Sequence, residues 1–565
     1  MIMQRNRITL ALLTIAISGI VSCKSNKSGI AIPKDASVAV QVSTSSLTSK
    51  VSWEEIKQNE WFKKLYNEET DSLGKKIMEN PASTGIDLKA DLAFFIKKQN
   101  QGGYMAFEGG VQDAAAFEAF TTKVNKGGKV VKEGDVNVLA TGLKSLVAWT
   151  NSRFIYIMDM PMATASARLN NSNPGSYEPF SFKTDSLQKF AVELFDLKGS
   201  DNLANDDRFA ALTKEAGDIH YWVNAAQYDN ALGGYLSMLK LNVLFEGNAY
   251  GATISFDNGK ITMKSKSWYN KELKELMKKY AGGKVSEATI NRIPSKNVVA
   301  AFAFKYPPEG LRDLIKLLGV DGLVNSFFSG VGYSTDEFIK ANNGDMLIAV
   351  TDFEMKSRSI TMEGPDGKPM TIEGGAPSPN ANVLVATSVN DKPAFDKLFG
   401  ILQSKAQEFQ PYTKDIHFKL NNEWFAAGNS PEQVTSFLSG GNNNFEFTKR
   451  ISGKAFGGYI NIQQLLKTAT AAATDSSAKA ALDASINMWQ DVYMISGGEE
   501  NGAYTAEGEI NLVDKNTNSL KQLNKYLDTI TKIVSPKRNP YDAQVNLKYS
   551  DPAALSLAAL EPALH

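Results

Sequence analysis

Two stretches of this 565-residue chain begin alike. Ile32-Pro33-Lys34 runs into ASVAVQV, and Ile293-Pro294-Ser295 runs into NVVAAFAF. A helix-forming segment follows each, WEEIKQNEWFKKLY from Trp53 and GLRDLIKLLG from Gly310. Next come YMAFEGGVQDAAAFEAFTTKV and VLVATSVNDKPAFDKLFGIL, each a strand leading into a helix. Asp113 and Asp391 stand where a carboxylate caps the free N–H groups of a first helical turn. Phe117 and Phe395 fall on the apolar faces of those helices. The hairpin segments NVLATGLKSLVAWTNSRFIYIM and IHFKLNNEWFAAG also correspond. So do HYWVNAAQYDNAL and AFGGYINIQQLL, with Asn224 against Asn461. Late hairpins match in GATISFDNGKITMKSKS, turning at Asn258-Gly259, and DVYMISGGEENGAYTAEGEINLV. Each half closes on a helix, YNKELKELMKKY or NSLKQLNKYLDTI.

The closely spaced hairpins require antiparallel pairing. The expected fold is therefore α+β: two tandem, structurally similar units, 31–285 and 290–535, each mainly antiparallel sheet with helices packed on one face. The boundary falls in AGGKVSEATINR, where Gly282-Gly283 ends a helix. Residues 356–380 have no counterpart of similar length in the first half. Their Gly and Pro content predicts a mobile loop or a protruding hairpin turning at Asp366-Gly367. Met362, Asp366 and Met370 are its candidate interaction residues. Residues 536–565 read as an extended C-terminal tail.

The N-terminus sets the compartment. Arg5 and Arg7 precede the apolar run Leu10–Ile20, which is too short for a comfortable membrane span. Ile20-Val21-Ser22-Cys23 then resembles the lipobox of bacterial lipoproteins. The resemblance implies a signal peptide over 1–22, lipidation of Cys23 and a tether over 23–30. Cys23 is the only cysteine, so an intramolecular disulfide is impossible. The membrane partner is thus the acyl anchor on Cys23. Lys24, by analogy with lipoprotein sorting, favours an outer-membrane lipoprotein facing the periplasm.

The IPKDASVAV opening just after the tether, the WEEI helix and VATSVNDKPAFDKLF together resemble the Bacteroidetes lipoproteins catalogued as domain of unknown function 4836. That resemblance implies an envelope location and transfers no activity or catalytic residue.

Composition narrows the chemistry further. Lys+Arg and Asp+Glu both number 61, and loss of Arg5 and Arg7 with the signal peptide leaves a slight acidic excess. Such a chain lacks the basic surplus that neutralises phosphates, so nucleic acid is not an expected partner. The three histidines are His220, His417 and the terminal His565. No zinc-ligand clustering occurs, and neither a metal nor a cofactor is expected. Asp218-Ile-His220 and Asp415-Ile-His417 each place a carboxylate two residues from a histidine, as an acid–base pair in a strand would need. The two tripeptides occupy different places in the two halves, which favours ordinary strand-face residues. Ser-x-x-Lys occurs at Ser72, Ser186, Ser237 and Ser476, about the frequency chance gives in a chain this rich in Ser and Lys. Glu507 and Glu509 could flank a sugar bond or a cation. A solvent-facing sheet surface explains them more simply. Trp53, Trp61, Trp149, Trp222, Trp268, Trp424 and Trp489 follow strand or helix spacing and are expected in the core.

Three function classes follow. The favoured one is a non-catalytic envelope module that binds a protein or assembles with itself. The alternative is a glycan- or peptide-binding lipoprotein with its site between the halves, for which aromatic residues gathered in that cleft would speak. The third is a hydrolase with an unrecognised site.

Overall fold

In the computed structural model, residues 29–69, 72–99, 102–125, 127–142, 144–161, 180–232, 239–363, 369–408 and 415–534 are described. Residues 1–28, which hold the expected signal peptide and Cys23, and Asp366, His565 and residues 536–565 lie outside them. Nineteen strands occur among the described residues. In the first half these are β1 (Val38–Val42), β2 (Ile86–Asp87), β3 (Leu92–Gln99), β4 (Gly102–Val111), β5 (Val131–Glu133), β6 (Val136–Gly142), β7 (Ser145–Trp149), β8 (Arg153–Met160), β9 (Ile219–Asn224), β10 (Ala249–Asp257) and β11 (Lys260–Trp268). In the second they are β12 (Val298–Lys305), β13 (Asn342–Glu363), β14 (Pro369–Val389), β15 (His417–Leu420), β16 (Trp424–Gly428), β17 (Phe456–Ile460), β18 (Trp489–Glu500) and β19 (Ala503–Leu512).

All strand pairings are antiparallel, and the fold is α+β. The strands form one line: β5-β6-β7-β8-β4-β3-β1-β9-β10-β11-β19-β18-β17-β12-β13-β14-β16-β15. β2 prolongs the β3 side of β4. Among the described residues no pairing joins β5 to β15, so the sheet is open. Both edge strands are short, and β5 is the exposed Val131-Lys132-Glu133, an edge that discourages further pairing.

The pairing order is the same around two centres. From β1 it runs through β3, β4, β8 and β7 one way and β9, β10 and β11 the other. From β12 it runs through β13, β14, β16 and β15, and through β17, β18 and β19. β11 and β19 pair with each other, from Lys260↔Asn511 to Ser267↔Tyr504. The expectation of a separate sheet in each half is therefore corrected: the halves share one sheet across this seam.

Helix packing also exceeds the expectation of one covered face. Val138 and Leu139 are neighbours in β6 and point to opposite faces. Val138 joins a core with Phe95, Trp222 and Leu187, whereas Leu139 joins another with Phe117, Trp149 and Phe154. Burying such a large apolar side chain contributes about 1.5–3 kcal/mol. The second half has its own core around Leu347, Ala386, Phe437 and Tyr459. Its last helix, Ser519–Val534, crosses back to the first half. There Asn524 Oδ1 accepts from Asn59 at 2.6 Å and Asp528 accepts the Glu60 N–H at 2.6 Å.

Local rules hold at the expected caps and turns. Asp113 accepts the Ala116 N–H at 3.0 Å, and Asp391 accepts that of Ala394 at 2.9 Å. Asn258-Gly259 joins β10 to β11 with Gly259 at φ +68°, where the backbone of Lys515 leaves no room for a Cβ.

Candidate functional site

The seam carries small side chains on one face. Ala252, Ser265, Ala506 and Ser496 form one cross-strand row over β10, β11, β19 and β18. Tyr250, Ser267 and Tyr504 form the next row on that face. Gly497 follows, where a Cβ would run into the Thr505 hydroxyl. Side chains this short leave space above the sheet. The helices Lys271–Lys279 and Pro308–Leu317 bridge that space and leave a cleft of about 1040 Å³ between the halves. Leu276, Met277, Leu311 and Leu314 supply apolar walls from these helices.

Four tyrosines line the cleft: Tyr269, Tyr280, Tyr306 and Tyr504. The rings of Tyr269 and Tyr504 lie 5.6 Å apart, and Tyr250 meets Tyr269 at 6.3 Å. Tyr280 donates to Asp313 at 2.6 Å. Gly310 lets that ring approach the helix start, since a Cβ there would meet Tyr280 Cγ at 3.0 Å. Burial raises the phenol of Tyr306, and burial, then Glu499 and Tyr269, raises that of Tyr504. Both stay neutral and offer hydroxyls as well as ring faces.

The charged lining is asymmetric. Lys305 is engaged, donating to Asp345 at 2.7 Å and to the Asn343 carbonyl at 2.8 Å. Glu499 is paired with Lys274 at 3.2 Å. Lys278, Lys284 and Lys454 also line the cleft, are exposed, and have no carboxylate partner among the described residues. Lys284 and Lys454 sit on adjoining segments. Val285 donates to the Lys454 carbonyl at 2.8 Å, and Gly453 donates to that of Val285 at 2.9 Å.

The residues singled out from sequence lie elsewhere. Asp218 does not orient His220. It is buried and accepts from Ser46 at 2.7 Å, Lys50 at 2.5 Å and the Phe256 N–H at 2.6 Å. His220 Nε2 faces the Glu215 carbonyl at 3.0 Å, and its buried Nδ1 has no partner among the described residues. Asp415 and His417 are both exposed near β15. Glu509 is buried beneath Lys260 at 2.9 Å and Arg450 at 2.5 Å, which uses it structurally rather than as half of a carboxylate pair with Glu507. Trp53, Trp149, Trp222, Trp268 and Trp424 are buried, and Trp61 and Trp489 partly so, as expected of core residues.

The described residues of the segment at 356–380 belong to two long antiparallel strands, β13 and β14, a pairing that fits the hairpin alternative, while residues 364–368 with the expected turn lie outside the described residues. Met362 pairs with Met370 across it, and Asp366 lies outside the described residues. Past Thr351, among the described residues, β13 pairs with β14 alone, from Glu354↔Asn380 to Glu363↔Pro369. Sequence reasoning named none of the cleft tyrosines. The available signal was the run of Ser, Gly and Ala at alternating positions of β11, β18 and β19. No group of His, Cys, Asp or Glu among the described residues could hold a metal ion. No described helix is long and apolar enough to cross a membrane.

The family model described as Domain of unknown function (DUF4836) matches residues 30–362, more than half of the chain. No curated protein matches. Among solved structures, crystal form IV of TP0453 is similar at 10% identity and a TM-score of 0.23, covering 46% of this chain and 88% of that one. Crystal form III of TP0453 is similar at 8% identity and a TM-score of 0.23, covering 47% and 90%.

Proposed function

The chain belongs to this family of unknown function, and from that premise we propose a non-catalytic, lipid-anchored envelope protein that holds a ligand in the cleft between two tandem units. The observation that carries the reading is the cleft itself: about 1040 Å³, mainly apolar, with four tyrosines converging on it. Ligand sites are concavities of roughly 300–1,000 Å³ with apolar walls and a few polar groups. Lys278, Lys284 and Lys454, which have no carboxylate partner among the described residues, add such polar groups. The dispersal of Asp218, His220 and Glu509 into structural contacts supports binding over catalysis.

The direct test is saturable binding of the apolar dye N-phenyl-1-naphthylamine to the purified chain. One dye per chain is expected, lost in Leu311→Arg with the fold retained. Failure of the dye to saturate, or an unaffected variant, would remove the cleft as the site. The anchor is tested separately. Cys23→Ser should leave the membrane fraction, and a variant that still sediments after a high-salt wash would overturn the lipidation.

A protein-binding role is the second reading. Leu323 and Phe327, one turn apart, are 64% and 71% exposed on the helix Asp321–Gly330, which has no buried residue. Apolar residues gathered on a surface mark contact sites.

A further inference from the structure

We propose that the cleft takes a long-chain carboxylate: an unbranched acyl chain against the apolar walls, with its carboxylate at Lys284 and Lys454. The proposal rests on the cleft being the ligand site.

The argument for an acyl chain comes from what the walls can satisfy. β11 and β19 floor the cleft, and each is hydrogen-bonded to a neighbouring strand on both sides. A peptide laid there would find no open strand edge, and its N–H and C=O groups would be stranded against Leu276, Leu311 and Leu314. An unpaired buried polar group costs about 1–3 kcal/mol, so a peptide backbone is penalised at every residue. A glycan would meet the hydroxyls of Ser265, Ser267 and Tyr504 on the floor, but it would also turn hydroxyls toward Leu276, Met277, Leu311 and Leu314, which can accept none of them. A hydrocarbon chain brings none, and gains about 0.8 kcal/mol for each CH₂ it buries.

The argument for an anion comes from the rim. The Val285–Lys454 and Gly453–Val285 hydrogen bonds hold the backbones of Lys284 and Lys454 side by side. Neither ammonium has a carboxylate partner among the described residues, whereas Lys305 beside them is already neutralised by Asp345. Gly283 packs on Lys305, where a Cβ would meet the Lys305 carbonyl at 2.9 Å, so all three lysines belong to one mouth of the cleft. Lys284 and Lys454, two of the three cleft lysines with no carboxylate partner among the described residues, match an amphiphile with a single negative head. Charge complementarity fixes which end of the chain faces out.

Palmitate, kept below its micellar concentration, is titrated against the chain loaded with N-phenyl-1-naphthylamine. Hexadecanol serves as the uncharged comparator. Palmitate should displace the dye, and hexadecanol should bind about tenfold more weakly or worse, which is the scale of one good charge contact. The double variant Lys284→Gln with Lys454→Gln should lose about tenfold in palmitate affinity while holding the dye as before. If the dye binds and palmitate does not displace it, the carboxylate proposal fails and the cleft stands. The proposal fails in the same way if an apolar acidic peptide displaces the dye where palmitate cannot. Equal binding of palmitate and hexadecanol, unchanged in the double variant, overturns the role of the lysines. If the dye itself does not bind, the cleft fails as a site and the proposal fails with it.

Discussion

The carboxylate of Glu509 lies 2.9 Å from the ammonium of Lys260, across the seam that makes one sheet of two halves. Arg450 closes on the other oxygen at 2.5 Å. Burial disfavours the charge on Glu509, but Arg450 and Lys260 outweigh it and hold the carboxyl below its usual range. The contact thus ties β11 to β19 at the strand end away from the cleft.

Glu509→Gln should therefore destabilise the chain. Lys260 and Arg450 are each about two-fifths exposed, so water screens them and the loss should be about 1–3 kcal/mol rather than that of a fully buried pair. Because the folded carboxyl titrates below the unfolded one, this contribution is present above about pH 4.3 and disappears as the pH falls through the lower folded value. Urea unfolding at pH 7 and at pH 3 measures it. Equal differences between wild type and variant at both pH values would contradict the ion-pair account.

Glu108 works in the opposite sense. It is enclosed in the first half, where burial pushes its carboxyl up to about 7 against the pull of Arg153 and of the Ala31 N–H it accepts at 2.9 Å. An unfolded glutamate titrates near 4.3, so between about pH 4.3 and 7 the folded chain binds more protons than the unfolded one. Stability should fall as the pH rises through that window and level off above it, a loss of about 4 kcal/mol at most. Glu108→Gln keeps an acceptor for Ala31 and cannot ionise. Its melting temperature should match wild type near pH 4 and exceed it at pH 8. Parallel pH profiles for the two proteins would show that Glu108 does not titrate in this window.

The caps probe the repeat. If 31–285 and 290–535 are tandem copies, Asp113 and Asp391 serve equivalent helices, above Phe117 and Phe395. Asp113→Ala should cost about 1 kcal/mol. Asp391→Ala should cost the same or slightly more, because Asp391 also meets Lys340 at 3.0 Å. Thermal unfolding of both variants checks this. A negligible effect at one site would separate the two helices in role.

These caps were legible in sequence because capping is local: an Asp, an apolar period and one turn of chain suffice. The Asn258-Gly259 turn was legible for the same reason, and Asn501-Gly502 obeys the same rule, with φ values of +52° and +82°. The seam was not. Nothing within β11 or β19 says that Lys260 will face Asn511, since that register comes from long-range packing. The cleft was harder still. Tyr269 and Tyr504 are far apart in the chain, and the small residues that make room for them look like ordinary solvent-facing strand positions. Asp218 shows the converse limit: two residues from His220 in sequence, it turns instead to Ser46 and Lys50, which no strand periodicity could foresee.

The distal ribbon of β13 and β14 should be dispensable for stability. It leaves the sheet at Asp352, whose φ of +52° bends the strand beside the register break between Thr351 and Glu354. Asp352 is anchored by Ser295 at 2.6 Å, Gln433 at 2.7 Å and Asn382 at 3.1 Å. From Glu354 to Glu363 the strand runs about 30 Å, with β14 its one strand partner among the described residues. Joining Lys356 to its cross-strand partner Ser378 through Asn-Gly removes 357–377 and keeps every one of those anchors. Closing a shorter loop changes chain entropy by less than about 2 kcal/mol, so the melting temperature should move by only a few degrees. Differential scanning calorimetry of the excised variant measures this directly. A drop of ten degrees or more would mean that the ribbon packs on the body of the protein. Its length would then serve the core, and a partner-binding role for Met362, Asp366 and Met370 would lose its structural basis.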